Sequence, residues 1–97
     1  MFARVNTILG APDKVEEGIR QYRETTLPAA KGMGGFKGAY LLVDRKSGKV
    51  VAITLWETEA AERASAYPVA RLRAQGKQAM GATALPAVEV YEVALQP

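Results

Sequence analysis

The stretch from Gly35 to Glu57, GFKGAYLLVDRKSGKVVAITLWE, holds two runs of β-forming residues joined by Arg45-Lys46-Ser47-Gly48. It predicts a long β-hairpin, with Gly48 free to take positive φ in the turn. A two-residue and a four-residue loop give the same cross-strand parity. Trp56, Thr54, Ala52 and Val50 then share a face with Lys37, Ala39, Leu41 and Val43. Phe36, Tyr40 and Leu42 lie beside Val51, Ile53 and Leu55 on the opposite face. An odd-length loop with a bulge would shift the parity of one strand. A half-exposed antiparallel strand alternates apolar and polar residues. These strands do so only at their ends, at Lys37, Asp44, Arg45, Lys49 and Glu57. Both faces of the hairpin therefore need cover.

The flanking segments supply cover for one face. Residues 2–9, FARVNTIL, read as a strand. Ala3, Val5, Thr7 and Leu9 form a set with the look of burial. Phe2, Arg4, Asn6 and Ile8 form a mixed set that suits a cavity wall. Pro12 opens a helix, with Asp13, Glu16 and Glu17 complementing its positive end. Val15, Ile19, Tyr22 and Thr26 make one helical stripe, with Lys14, Arg20, Arg23 and Glu24 largely off it. Pro28 disfavours a helical Leu27, so the regular helix is expected to stop or kink there.

Residues 29–35, AAKGMGG, follow a helix and precede a strand, the wrong order for a phosphate cradle. They read as a flexible loop, with Met33 as a candidate pocket flap. Thr58 is the expected N-cap of a second helix, with Ala60, Ala61 and Ala64 as its small-residue face. A break is expected near Tyr67, before Pro68. A further helical segment carries Val69, Leu72, Gly76 and Met80, and Arg71, Arg73 and Lys77 give it a solvated basic surface. Gly81 to Pro86 is a loop, and Ala87 to Leu95 the last strand.

The 97 residues fit a single domain, 1–97. There is no cysteine, which excludes thiolate chemistry and disulfides, and no histidine, the commonest general base and metal ligand. No metal site and no cofactor is expected. The net charge of +3 is spread along the chain and reads as ordinary solubility. No apolar run reaches the length of a membrane span. MFARVNTILG lacks the plan of a signal peptide, so a cytoplasmic location is expected.

The element order βαββαβ predicts an α+β, ferredoxin-like domain with an antiparallel sheet and both helices on one side. The uncovered side, with Tyr40, Leu42, Ile53 and Leu55, is more apolar than a lone monomer usually presents. A second copy laid sheet to sheet would cover it. The LPAAKGMGGFKGAYLLVD stretch and the strand-to-helix junction ITLWETEAAERAS resemble the antibiotic-biosynthesis-monooxygenase-like superfamily of dimeric α+β barrels. The resemblance spans nearly the whole chain. It implies a homodimer and a small aromatic ligand. Members include cofactor-free oxygenases of aromatic polyketides and quinols, haem-degrading oxygenases, and small proteins of no assigned activity.

The haem-degrading branch places an Asn on the first strand, a Trp at the end of the third and a His on the second helix. Asn6 and Trp56 match the first two. The helix around Arg71 to Gln75 has no His, which argues against haem degradation. Two readings of the pair stand side by side: Trp56 as packed core or as pocket wall, and Asn6 as a structural hydrogen-bonding group or as a functional amide.

For a cofactor-independent monooxygenase, Asn6 and Trp56 are the candidate catalytic residues, and Arg4, Tyr22, Tyr67, Arg71 and Leu72 the candidate substrate-binding ones. The same pocket without a base describes a non-catalytic or regulatory ligand-binding dimer. Val51 and Ile53 stand where RNA binding through the same topology needs stacking aromatics, which argues against that third reading.

Overall fold

In a computed structural model that describes residues 1–66, 68 and 87–97, the hairpin forms one side of a four-stranded antiparallel sheet. Its strands are β1 (Phe2–Leu9), β2 (Phe36–Asp44), β3 (Lys49–Trp56) and β4 (Ala87–Glu92), in the order β2-β3-β1-β4. This is the ferredoxin-like arrangement. The four-residue turn Arg45–Gly48 closes the hairpin, with Gly48 at φ +81° and its N–H bonded to Asp44 O at 2.8 Å. A Cβ on Gly48 would stand 2.4 Å from Gly10 O, so the hairpin tip packs directly on the end of β1.

Register fixes the two faces. Trp56, Thr54, Ala52 and Val50 sit opposite Phe2, Arg4, Asn6 and Ile8 of β1. Ala39, Leu41 and Val43 of β2 join the same face. Ile8 and Val50 form a buried core with Leu41 and Val43 packed against it. The expected parity fails only at the start of β2. A register shift between Phe36 and Gly38 puts Phe36 opposite Trp56 and leaves Lys37 exposed. A bulge at the strand end, rather than in the turn, thus moves the Phe36 ring onto the Trp56 side. The two rings meet edge to face at 5.8 Å.

β1 also reverses a simple burial reading. Its mixed set is the buried one: Arg4, Asn6 and Ile8 lie inside, while Leu9 is exposed and Ala3, Val5 and Thr7 are only partly or locally covered. The cause is the helical layer, which lies on the mixed face.

That layer begins with a 3-10 turn, Pro12–Lys14, that runs into α1 (Val15–Gln21), a π-helical segment (Tyr22–Thr26) and α2 (Leu27–Lys31). The regular α pattern breaks before Pro28, as expected, but at Tyr22, and the chain stays helical to Lys31. Proline has no N–H to give and crowds the carbonyl four residues back. The wider turn, in which Leu27 N–H bonds Tyr22 O, carries the helix past it. Val15 and Gly18 are buried and Ile19, Tyr22 and Thr26 lie along the predicted stripe. Arg45 of the hairpin turn pairs with Glu16, an exposed tie between tip and helix.

The next helix, α3, occupies residues 59–66. Thr58 caps it as predicted, its Oγ1 accepting from Ala61 N at 3.0 Å. Its inward face is not the alanine face read from the sequence. Ala60 and Ala64 are exposed, and Glu62 and Ser65 are buried. Ala61 meets Gly35 so closely that a Cβ on Gly35, at φ +82°, would lie 2.5 Å from the Ala61 Cβ. β4 is shorter than expected, ending at Glu92, though Val93 N still bonds Met1 O at 2.9 Å. The expected break near Tyr67, the helix with Val69, Leu72, Gly76 and Met80, the basic Arg71, Arg73 and Lys77 and the loop 81–86 lie outside the described residues.

Among the described residues, none covers the opposite sheet face. Tyr40 is 61% exposed, Leu42 51% and Tyr91 52%, with Val5, Val51, Ile53 and Leu55 half-buried beside them.

Candidate functional site

The helix-facing side of the sheet carries three polar residues in its interior, Arg4, Asn6 and Thr54, with Glu62 and Ser65 above them on α3. Strand pairing sets Arg4 directly across from Thr54, and Asn6 across from Ala52 on one side and Val88 on the other. Arg4 is 1% exposed, Asn6 5% and Trp56 fully buried.

Arg4 is the centre of the arrangement. Its Nε donates to Glu62 Oε1 at 3.0 Å, and its Nη2 to Glu62 O at 2.6 Å and Ser65 Oγ at 2.7 Å. Nη2 also lies 2.9 Å from Glu62 Oε1, a buried ion pair. Ser65 in turn donates to Glu62 O at 2.7 Å, one helical turn back. The guanidinium carbon sits 5.5 Å from the Trp56 ring centroid, a cation–π contact in a dry setting. Trp56 Nε1 gives its proton to Thr54 Oγ1 at 3.0 Å, on the same face two residues back. Phe36 closes the other edge of the indole.

Three buried polar atoms have no partner among the described residues: Arg4 Nη1, Tyr22 Oη and Gln21 Nε2. The last two flank the junction of α1 and the π-helical segment. π-bulges often accompany functional sites, because the extra residue re-aims side chains that a regular helix would stack. Burial raises the Tyr22 pKa above its ordinary value, so the phenol stays protonated there. A cavity of about 220 Å³, lined by Met33, Gly34, Ala61, Ala64, Ser65 and Pro68, adjoins the Arg4 cluster at Ser65. Met33, read from the sequence as a flap residue, is part of its wall. Among the described residues no three His, Cys, Asp or Glu side chains come together to hold a metal ion.

Of the candidate residues, Arg4, Asn6 and Trp56 share the helix-facing side of the sheet, and Tyr22 lies on the helix in the other layer. Tyr67, Arg71 and Leu72 fall outside the described residues. Glu62, Ser65 and Thr54 were not singled out from the sequence. A signal existed for two of them. An Arg on a buried strand face needs a carboxylate, and Glu62 and Ser65, spaced i, i+3 on a helix, form one face.

No protein-family model matches the chain. Two uncharacterized proteins of Mycobacterium tuberculosis, Rv2557 and Rv2558, are similar to it in sequence. The first is 39% identical over 94 residues, 97% of this chain and 41% of that protein. The second is 38% identical over 95 residues, 98% of this chain and 39% of that protein. The chain thus spans about two-fifths of the length of these relatives. Solved structures match the fold over almost its full length. A monooxygenase from the gene ActVA-Orf6 of Streptomyces coelicolor, in complex with nanaomycin D, gives a TM-score of 0.78 at 22% identity, covering 99% of this chain and 91% of that one. An antibiotic biosynthesis monooxygenase gives 0.74 at 18% identity, covering 98% and 100%. SnoaB of Streptomyces nogalater, a cofactor-independent oxygenase, gives 0.69 at 21%, covering 98% and 94%. The fold is that of the antibiotic-biosynthesis-monooxygenase-like proteins, as the resemblance in the sequence implied.

Proposed function

We propose that the layer between sheet and helices is a binding site for a small aromatic molecule, and that the protein acts on it as a cofactor-independent monooxygenase. The observation that carries this reading is the polar row Arg4–Asn6–Thr54 beside Trp56, buried on a sheet face where a purely structural core would be apolar. The fold shared with oxygenases of this kind supports it.

In such a reaction the substrate loses a proton from an activated carbon, and the carbanion reduces O₂. One oxygen atom forms the new C=O bond and the other leaves as water, a CH₂ group supplying the electrons and both hydrogens. The protein's part is orientation and polar stabilisation of the developing charge. Trp56 provides the flat wall, Asn6 an amide, Arg4 an N–H donor on a guanidinium already paired with Glu62, and Tyr22 a phenol that stays protonated. Tyr67, Arg71 and Leu72 complete the proposed substrate-binding set. The reading includes a cytoplasmic homodimer in which the open face with Tyr40 and Leu42 meets a second copy. Exposed apolar area on that face supports the pairing. No helix among the described residues is long and apolar enough to cross a membrane.

A second reading, a ligand-binding dimer without catalysis, has its own support. The chain has no His or Cys, and Glu62, the only buried carboxylate among the described residues, is held by Arg4. A free general base is thus missing from the described site. Oxygen consumption by the purified protein with naphthols and quinols separates the two. Uptake above the uncatalysed rate, lost in Asn6→Ala, supports the enzyme. Binding with no uptake supports the second reading.

A further inference from the structure

Arg4 uses one edge of its guanidinium and leaves the rest idle. Nε and Nη2 serve Glu62 and Ser65, whereas Nη1 has no partner among the described residues although the side chain is 1% exposed. The guanidinium is planar and its donors are fixed relative to one another. With the Nε–Nη2 edge held against α3, the Nη1 hydrogens point away from Glu62. A buried donor without an acceptor is costly, and an acceptor brought by a ligand removes that cost.

The chemistry of that acceptor follows from the pair. The positive charge of Arg4 already meets a carboxylate at 2.9 Å. A ligand carboxylate entering beside Nη1 would lose its hydration, approach a pair with no net charge and feel the repulsion of Glu62. A neutral carbonyl oxygen loses far less hydration and accepts from the same donor. We infer that Glu62 is a specificity-determining residue: by neutralising Arg4, it sets the interior site for a neutral carbonyl-bearing aromatic, held by Arg4 Nη1, and against an aromatic carboxylate. The inference rests on the reading of this layer as a ligand site. Glu62 acts through Arg4 and is not itself a ligand contact.

Three probes of similar size test it: naphthalene, 1-acetonaphthone and 1-naphthoate, the last two differing in a methyl ketone against a carboxylate. Calorimetric titration gives the affinities, and emission from Trp56, the chain's one tryptophan, reports binding beside it. In the wild type, 1-acetonaphthone binds about tenfold tighter than either of the others. In Glu62→Gln the preference disappears, with 1-naphthoate gaining about tenfold and so matching 1-acetonaphthone. The double variant Arg4→Met/Glu62→Met leaves no lone buried ion, so it folds even where the single variant does not. There 1-acetonaphthone falls to the affinity of naphthalene. Equal binding of 1-acetonaphthone and naphthalene to the wild type, or tightest binding of 1-naphthoate, overturns the inference while leaving the aromatic site standing. Retained ketone preference in the double variant overturns it as well. No binding of any probe removes the interior site itself, and the inference with it.

Discussion

The two faces of one sheet divide their residues against expectation. The face under the helices buries an arginine, an asparagine and a threonine, and the face open to solvent shows Tyr40, Leu42 and Tyr91. Polar groups are tolerated inside only where partners are built to meet them. On the inner face, α3 supplies them through Glu62 and Ser65, and Thr54 meets the Trp56 indole. The outer face needs only apolar contact, which a second sheet would provide. The comparison teaches that composition does not tell the inside of this domain from its outside; the location of hydrogen-bonding partners does.

The inner face offers the largest effect. Arg4→Met leaves Glu62 buried without its counterion and is expected to cost about 3–5 kcal/mol. Chemical denaturation measures this, and a loss under about 1 kcal/mol would mean that the pair is wet rather than buried. The outer face comes next. Leu42→Asp places a charge in the proposed dimer contact, at a cost of about 3 kcal/mol to association. Light scattering at micromolar concentration should then find monomer, and an intact dimer would refute the assignment of that face. Gly35→Ala forces a side chain onto Ala61 from a positive-φ position and is expected to cost about 2 kcal/mol. Because α3 carries Glu62, the same variant should weaken ligand binding, which titration with 1-acetonaphthone would show.

Asn6→Ala should keep the fold, at about 1 kcal/mol or less. A drop in Tm beyond about 10 °C would mark the amide as structural. The smallest effect is at Tyr22, whose buried hydroxyl has no partner among the described residues. Tyr22→Phe should leave stability unchanged or raise it by a few tenths of a kcal/mol. Its pKa is raised by burial, so the folded state holds the phenol proton more firmly than the unfolded chain does. The stability linked to this group is whole below pH ~10 and falls as pH rises through the folded value. An alkaline decline in the wild type that is weaker in Tyr22→Phe, followed by circular dichroism, would confirm the sign.

Much of the fold was legible because strand parity is local. One glycine turn at Gly48 set the facing of Trp56, Thr54, Leu42 and Ile53, and the structure keeps it. Parity carries only until a bulge, which is why Phe36 joined the Trp56 side and Lys37 dropped out of the ladder. The site was half legible. Asn6 and Trp56 drew notice through the resemblance, and Arg4 through its place on their face. The link from Arg4 to Glu62 joins residues 58 apart, and no periodicity reports such a contact. The π-helical turn ahead of Pro28 was hidden for a related reason: the sequence shows that proline must interrupt the α pattern, but not that the chain answers with a wider turn.

The central claim is that the inner face is a ligand site and the outer face a meeting surface between copies. A crystal structure of the protein soaked with 1-acetonaphthone tests both at once. The account predicts the ring system beside Trp56 and Asn6, its carbonyl oxygen within hydrogen-bond reach of Arg4 Nη1, and Tyr40 and Leu42 packed against a second copy. An inner face filled by the protein's own side chains, with the ligand lying on the Tyr40–Leu42 surface, would contradict it.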